Sequence, residues 1–542
     1  MKNGENYNGS RRNFLKGVGA ALLLGPFLDA CTQQAKKLLV RLTGTNHILG
    51  HRLWVKDFPK PERQIHVPYL IVGGGISGLS AARQFHKKGI SDFLIVELED
   101  HLGGNSSNGE NQYSKYPLGA HYLPLPNFHD KELLNFLEEE KIIVDYDAKG
   151  FPVFDERQLA FTPQERLFYK NNWQESLVPR FGNSVVEDQD FDRFFNLMDG
   201  FRIGRGADGL YLFDIPLANS SEDLEIRKLD SITMKSWLEQ QHFSEKVLFD
   251  YVDYCSRDDF GIGVDLVSAW AGIHYFASRK HDAVADKKEN VLTWPEGNSR
   301  LATHLKKYTS GKSFKNHLVY EVKDLGNEVS VKAFDADKKA SIEIIADQVI
   351  MATPQFVNQY VLENRKEITK NFHYAPWLLA TLTLTDLTDN FSFPLCWDNV
   401  IYGSKGLGYI YDQQQSLQQL QQRKVITYYC SFSSADLKKD RRKLYSNSKE
   451  YWKQFVFADL KLAHPDIEAF TESIDIRLIG HGMISPTAGF LFGESRKRAM
   501  QSIGNKIHFA HSDLSGVSIF EEAFHQGINA VSQVLDATTV DS

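Results

Sequence analysis

Apolar and polar positions follow two different periods along this chain, and the change of period marks its best-defined unit. Leu70, Ile71 and Val72 form an unbroken apolar run, the pattern of a buried parallel strand. Ile76, Leu79, Ala82 and Phe85 then recur at helical spacing, Gly89 can end that helix, and Phe93–Val96 supplies a second apolar run. Strand, helix, strand predicts a βαβ unit. Farther along, Trp377–Leu384 and Val425–Tyr429 read as sheet strands, and Tyr409–Tyr411 as a short strand. The glutamine run that follows, Gln413–Gln422, is expected at a solvated hairpin tip. Near the start, Gly17–Leu28 is apolar but too short to span a bilayer as a mature helix.

The turn between the first strand and its helix carries G-x-G-x-x-G in Gly73-Gly74-Gly75-Ile76-Ser77-Gly78. Gly73 permits the tight turn, Gly75 lets a pyrophosphate approach the backbone, and Gly78 lets the helix pack on the sheet. Unpaired N–H groups at the helix start, Ser77 among them, would face the phosphates. Glu97 closes the second apolar run, where a carboxylate can accept hydrogen bonds from a ribose hydroxyl. These residues predict a dinucleotide site. They do not choose between NAD and FAD.

The termini and composition narrow the setting. Arg11-Arg12 followed by Phe14-Leu15-Lys16 and the short apolar segment reads as a twin-arginine export signal, which carries folded, cofactor-loaded proteins. Leu28-Asp29-Ala30-Cys31 resembles a lipoprotein processing site, and three readings stand: acylation of Cys31 as a membrane anchor, plain cleavage, or retention of the segment as an uncleaved anchor. The expected location is the periplasm or its membrane surface, with the twin-arginine translocase as export partner. A net charge of -7 without a large basic domain argues against nucleic acid. Four cysteines exclude a disulfide scaffold, and no H-E-x-x-H or Cys/His cluster points to a metal.

Downstream motifs decide the cofactor through a resemblance. Leu102-Gly103-Gly104-Asn105, Leu118-Gly119-Ala120-His121-Tyr122, Trp294–Leu301, His317–Val322, Gln348–Pro354 and Ile507–Asp513 with Phe520–Ala530 stand in the order of the FAD-dependent amine oxidase superfamily. That superfamily also includes protoporphyrinogen oxidases and phytoene desaturases. The chain is similar to it across nearly the whole mature sequence. The resemblance implies a discontinuous, Rossmann-like α/β FAD-binding domain with an α+β substrate-binding domain. It places Gly73, Gly75, Ser77, Gly78, Glu97, Gly104, Asn105, Gly119, His121, Val319 and Asp513 at the cofactor, with Val319 beside the adenine and Asp513 as the acidic residue of the closing motif. Asn105 stands where the family usually has an arginine near the pyrophosphate, and His511 where glycine is usual. For His121 the other reading is a strand-end cap. The family's covalent members use a cysteine that Met483–Phe490 lacks, so FAD is expected to bind non-covalently.

The implied layout is a signal over 1–31, a tether over 32–63, FAD-binding parts over 64–150, 290–357 and 495–542, and substrate-domain parts over 151–289 and 358–494. Within the substrate domain, Asp253–Gly261 and Ser268–Phe276 combine carboxylates, an arginine, a histidine and aromatics, as a pocket for a cationic ligand would. His274 is the catalytic candidate there, against a reading in which it belongs to a helix core. The expected reaction is hydride transfer from an amine C–H to the flavin, with polyamines among the candidate substrates. The alternatives are a desaturase-like or porphyrinogen-oxidase-like enzyme passing electrons to a quinone, and a non-catalytic FAD-binding protein.

Overall fold

Leu70, Ile71 and Val72 are buried because a strand lies on each side of them. A computed structural model describes residues 38–280, 290–387 and 393–540. Tyr69–Val72 pairs in parallel with Phe93–Val96 and, on its other edge, with Gln348–Met351. Ser313–Phe314 extends the sheet past Phe93–Val96, and Ile507–Phe509 pairs beside Val349–Met351, both in parallel. The long strand Ala340–Met351 serves two arrangements. One edge pairs in parallel with Pro61–Val72 along most of its length, while on the other edge Ala340–Ala346 pairs antiparallel with Val329–Asp335, which pairs in turn with His317–Asp324. Helix Ile76–Lys87 packs on the sheet through Leu79, Ala82 and Phe85. The closing helix Phe520–Val540 lies against it, tied by Ser80 Oγ donating to the Phe524 carbonyl at 2.7 Å.

Among the described residues, a second sheet has eight strands in the order Leu39–Gly44, Thr471–Ile484, Tyr374–Leu384, Lys424–Ser431, Tyr409–Tyr411, Asp398–Ile401, Glu165–Tyr169 and Asn172–Glu175. Tyr374–Leu384 is buried at every position, since it is central and covered on both faces. Leu378, Ala380 and Leu382 pack with Leu444, Trp452 and Val456 of the helices Leu437–Ser446 and Lys449–Leu460. Trp377 and Leu379 face the other way, toward the first domain. Helices Val185–Ile203, Met234–Gln240, Lys246–Phe260 and Ala269–Ala277 form a flank held by Phe191, Phe194, Trp237 and Trp270. The chain is thus an α/β Rossmann-like domain joined to an α+β domain.

Three expectations change. The stretch 32–63 is not simply a tether: Leu39–Gly44 joins the second sheet in parallel, and Leu49 and Leu53 of the two short helices after it are buried. The first strand begins at Pro61 rather than residue 64. Gln413 and Gln414 are buried, because their side-chain amides replace backbone partners: Gln413 accepts from the Val425 N–H, and Gln414 bonds both ways with the Phe161 backbone. Cys255, Cys396 and Cys430 are buried and form no disulfide among the described residues. The signal residues 1–31, with the arginine pair and Cys31, lie outside the described residues. Among the described residues, no helix is long and apolar enough to cross a membrane.

Candidate active site

The three glycines of the first turn differ in what a side chain would meet. A Cβ on Gly73, where φ is +105°, would come 2.6 Å from the Ala352 carbonyl oxygen, and one on Gly78 would come 2.0 Å from that of Gly73. Both positions are closed by the fold. A Cβ on Gly75 would meet nothing within 4 Å. That open space lies at the N-terminus of helix Ile76–Lys87, and Gly104, with φ +58°, approaches it from the neighbouring Gly-Gly turn. Ser77 Oγ is buried there without a hydrogen-bond partner. Open space, helix terminus and orphan hydroxyl fit the diphosphate of a dinucleotide.

Glu97 fastens the turn, accepting from the Gly74 N–H at 2.6 Å and the Glu99 N–H at 2.8 Å. Burial pushes its pKa up and the two N–H groups pull it down. A carboxylate has lone pairs beyond these two, so acceptor capacity is left for a ribose. Val319 is buried in strand His317–Asp324, opposite Ala333 and one residue before a break in register.

Asp513 is buried and bonded within the protein. Its carboxylate accepts from the Gln355 N–H at 2.8 Å and the Tyr374 hydroxyl at 2.5 Å and pairs with His511 at 3.0 Å. Those bonds fix the closing loop to the crossover that follows Ala352. Asn105 donates through Nδ2 to the Gly482 carbonyl at 2.9 Å, and Gly119 sits so close to Asn105 that a Cβ would come 2.3 Å from its carbonyl oxygen.

Beyond Asn105 and Gly119 a cavity of about 150 Å³ opens between the two domains. His121, Tyr122 and Asn298 line it from the first domain, and Trp377, Leu379, Tyr429 and Ile479 from the second sheet. Asp258, Asp259 and Arg279 close one side, and Ser518–Glu521, at the start of the closing helix, another. A larger depression of about 350 Å³, lined by Glu62, Arg63 and His317, lies at the start of the strand Pro61–Val72, the end opposite the glycine turn.

Burial and the neighbouring Asp259 push the Asp258 carboxyl up to about 7, while Tyr122 donates to it at 3.3 Å. Burial raises Asp259 to about 6, against the pull of Arg279. Just behind Tyr429, which donates to it at 3.4 Å, burial and Asp258 push Asp398 well above the usual carboxylate range. Arg279 is paired with Glu521 at 2.8 Å. The cavity lining therefore sets Asp258, Asp259 and Glu521 beside Arg279, while the Arg257 guanidinium acts on Asp258 from outside the lining and Asp398 lies behind Tyr429. Burial lowers His121 to about 4, so its ring is neutral, 5.0 Å from that of Tyr429 and 5.1 Å from that of Tyr122.

His274 is not among the residues lining the cavity. It is buried in helix Ala269–Ala277, stacked on Trp270 at 5.0 Å, with Nε2 on the Asp214 carbonyl at 3.0 Å. It acts as a core residue, and the acids Asp258 and Asp259 face the cavity instead. Asp398 and Tyr429 went unremarked in the sequence, although an aspartate inside the apolar stretch Cys396–Tyr402 is a signal of a buried acid.

A family model described as an NAD(P)-binding Rossmann-like domain matches residues 71–139. The flavin-containing amine oxidase of Oncorhynchus mykiss is 30% identical over 125 residues, which are 20% of this chain and 24% of that enzyme. The chain thus aligns with only 24% of that relative's length. Among solved structures, a putrescine oxidase bound to putrescine is 16% identical with a TM-score of 0.61, covering 87% of this chain and 100% of that one. Cyclohexylamine oxidase from Brevibacterium oxydans is 14% identical with a TM-score of 0.61, covering 88% and 100%. A CLA-producing fatty acid isomerase from P. acnes is 14% identical with a TM-score of 0.60, covering 86% and 98%. Since one fold hosts oxidases and an isomerase, fold alone does not set the reaction. The chain shares the fold of these enzymes: a Rossmann-like dinucleotide-binding domain interleaved with a second, mixed domain.

Proposed function

We propose that this chain is an FAD-dependent oxidoreductase that removes a hydride from the carbon beside an amine nitrogen. The observation that carries the reading is the surplus of buried carboxylates at a cavity that continues the glycine turn. FAD, when bound, supplies the hydride acceptor. The chain's own residues bind, orient and exclude water. Asp258 and Asp259, which line the cavity, attract a cationic substrate, and Tyr122 and Tyr429 add ring faces that favour an ammonium. The neutral His121 packs among these rings without adding a competing positive charge. An apolar polyene or porphyrinogen would have no use for these carboxylates, which places the desaturase-like alternative second. Non-covalent binding of the flavin is part of the proposal, supported by the lack of a cysteine in Met483–Phe490, where the resemblance puts the covalent attachment. Amine oxidases among the sequence relatives and structural neighbours support the assignment.

The test is anaerobic bleaching of the purified yellow protein by diamines, monoamines, porphyrinogens and polyenes. Amines, diamines first, are expected to bleach it, and acid precipitation should release the colour into the supernatant. Bleaching by polyenes alone would overturn the amine reading, and colour retained in the pellet would overturn non-covalent binding.

We further propose export by the twin-arginine route, on the strength of Arg11-Arg12 before the short apolar segment. Replacing both arginines by lysine is expected to leave folded protein in the cytoplasm, and unchanged export would reject the proposal. A diacylglyceryl mass at Cys31 would establish the anchor, and a free Cys31 would remove it.

A further inference from the structure

The diphosphate site has a charge missing from the place where the resemblance puts it. Asn105 stands at the position of the expected arginine and turns its amide to the Gly482 carbonyl. The strand that bears Gly482 carries a guanidinium of its own. In Thr471–Ile484, Arg477 lies directly opposite Leu379, and two residues on Ile479 lies opposite Trp377. Directly opposed residues of antiparallel strands point to the same face. Leu379, Ile479 and Trp377 all line the cavity, so Arg477 continues the cavity-facing row of the second sheet by one pair.

The row runs toward the ribose end of the groove. The Glu99 carboxylate acts on Arg477, and the Glu99 N–H is bonded to the Glu97 carboxylate at 2.8 Å. Arg477 therefore stands between the cavity and the ribose-binding acid, along the path a diphosphate must follow. It is half-buried, its Nε is buried without a partner, and it makes no hydrogen bond or ion pair with the described residues. Desolvating a guanidinium without an anion in hydrogen-bond contact is costly, and a bound diphosphate supplies two anionic groups with the geometry its fork prefers.

We propose that Arg477 is the counter-charge of the cofactor's diphosphate, reaching across from the second domain in place of the arginine absent at position 105. This rests on the FAD reading above, and it makes the cofactor a clamp between the two domains. FAD titrated into the apo-protein, followed by tryptophan quenching, tests it. Arg477→Gln is expected to weaken FAD binding about ten- to a hundredfold, the range of one or two charge-assisted hydrogen bonds. The variant should also lose part of the salt dependence of binding. Arg477→Lys should recover part of the loss, because charge returns without the fork. The melting temperature of the apo-protein should not fall.

Equal FAD affinity in Arg477→Gln overturns the inference. So does a lysine variant no better than glutamine, or a loss matched by a fall in apo-protein melting temperature. A parent chain that takes up no FAD overturns the cofactor reading, and this inference with it.

Discussion

Replacing Gly75 by valine is expected to give a folded, soluble protein without FAD. Gly75 sits in extended backbone, φ -72° and ψ -174°, that valine adopts freely, and its Cβ would meet nothing within 4 Å. As the N-cap it makes no side-chain bond, so the helix loses little. The added methyls instead fill the space in front of the helix N-terminus, where the diphosphate would lie. Displacing it breaks several charge-assisted hydrogen bonds at roughly 1.5–3 kcal/mol each, so affinity should fall about a thousandfold or more. Gly78→Ala is the control with the opposite outcome. Its Cβ would lie 2.0 Å from the Gly73 carbonyl oxygen, so the turn cannot form and soluble protein should be lost. The flavin-to-protein ratio and a thermal melt separate the two. A Gly75→Val protein that purifies with a full complement of FAD would remove the diphosphate from this groove.

The contrast between these glycines shows what a sequence makes legible. The βαβ unit was readable because its determinants are local: an unbroken apolar run, a helical period, and a glycine spacing in which Gly78 packs against the Gly73 carbonyl five residues before it. The second sheet was only partly readable. Trp377–Leu384 and Val425–Tyr429 are apolar enough to stand out, whereas Leu39–Gly44 is a half-exposed edge strand whose partner, Ser473–Leu478, lies more than four hundred residues on. The site itself was hardest, since it is made by pairs remote in sequence. Asp258 gains its meaning from Tyr122, Asp398 from Tyr429, and Arg279 from Glu521. His274 misled for the same reason. A histidine among aromatics on an apolar helix has the same local pattern whether it faces a cavity or, as here, a backbone carbonyl in the core.

Asp258→Asn should separate substrate recognition from stability by moving them in opposite directions. With its carboxyl raised to about 7, Asp258 is ionised at pH 8 and can hold a substrate ammonium. Removing that charge should lower kcat/KM for diamines about a hundredfold or more, chiefly through KM, since a buried charge-assisted pair contributes about 3 kcal/mol. In the parent, kcat/KM should fall as the pH drops through about 7, because protonation discharges the group, and the asparagine variant should lack this limb. The stability effect has the opposite sign. A carboxyl whose folded pKa lies above its unfolded value stabilises the protein at low pH, and that stability is lost as the pH rises through about 7. At pH 8 the ligand-free parent bears the desolvation of Asp258 beside Asp259, and the neutral asparagine does not. The variant should therefore be more stable than the parent at pH 8, by an amount on the order of 2 kcal/mol. The gain should shrink as the pH falls from about 7 toward roughly 4 and vanish below the unfolded value, where the carboxyl is neutral in the folded and unfolded chain alike. Asp259→Asn should gain less, because Arg279 already offsets part of that charge. An Asp258→Asn protein that turns over diamines like the parent, or that melts lower at pH 8, would show that this carboxylate neither binds the cation nor is held in the cavity at a cost.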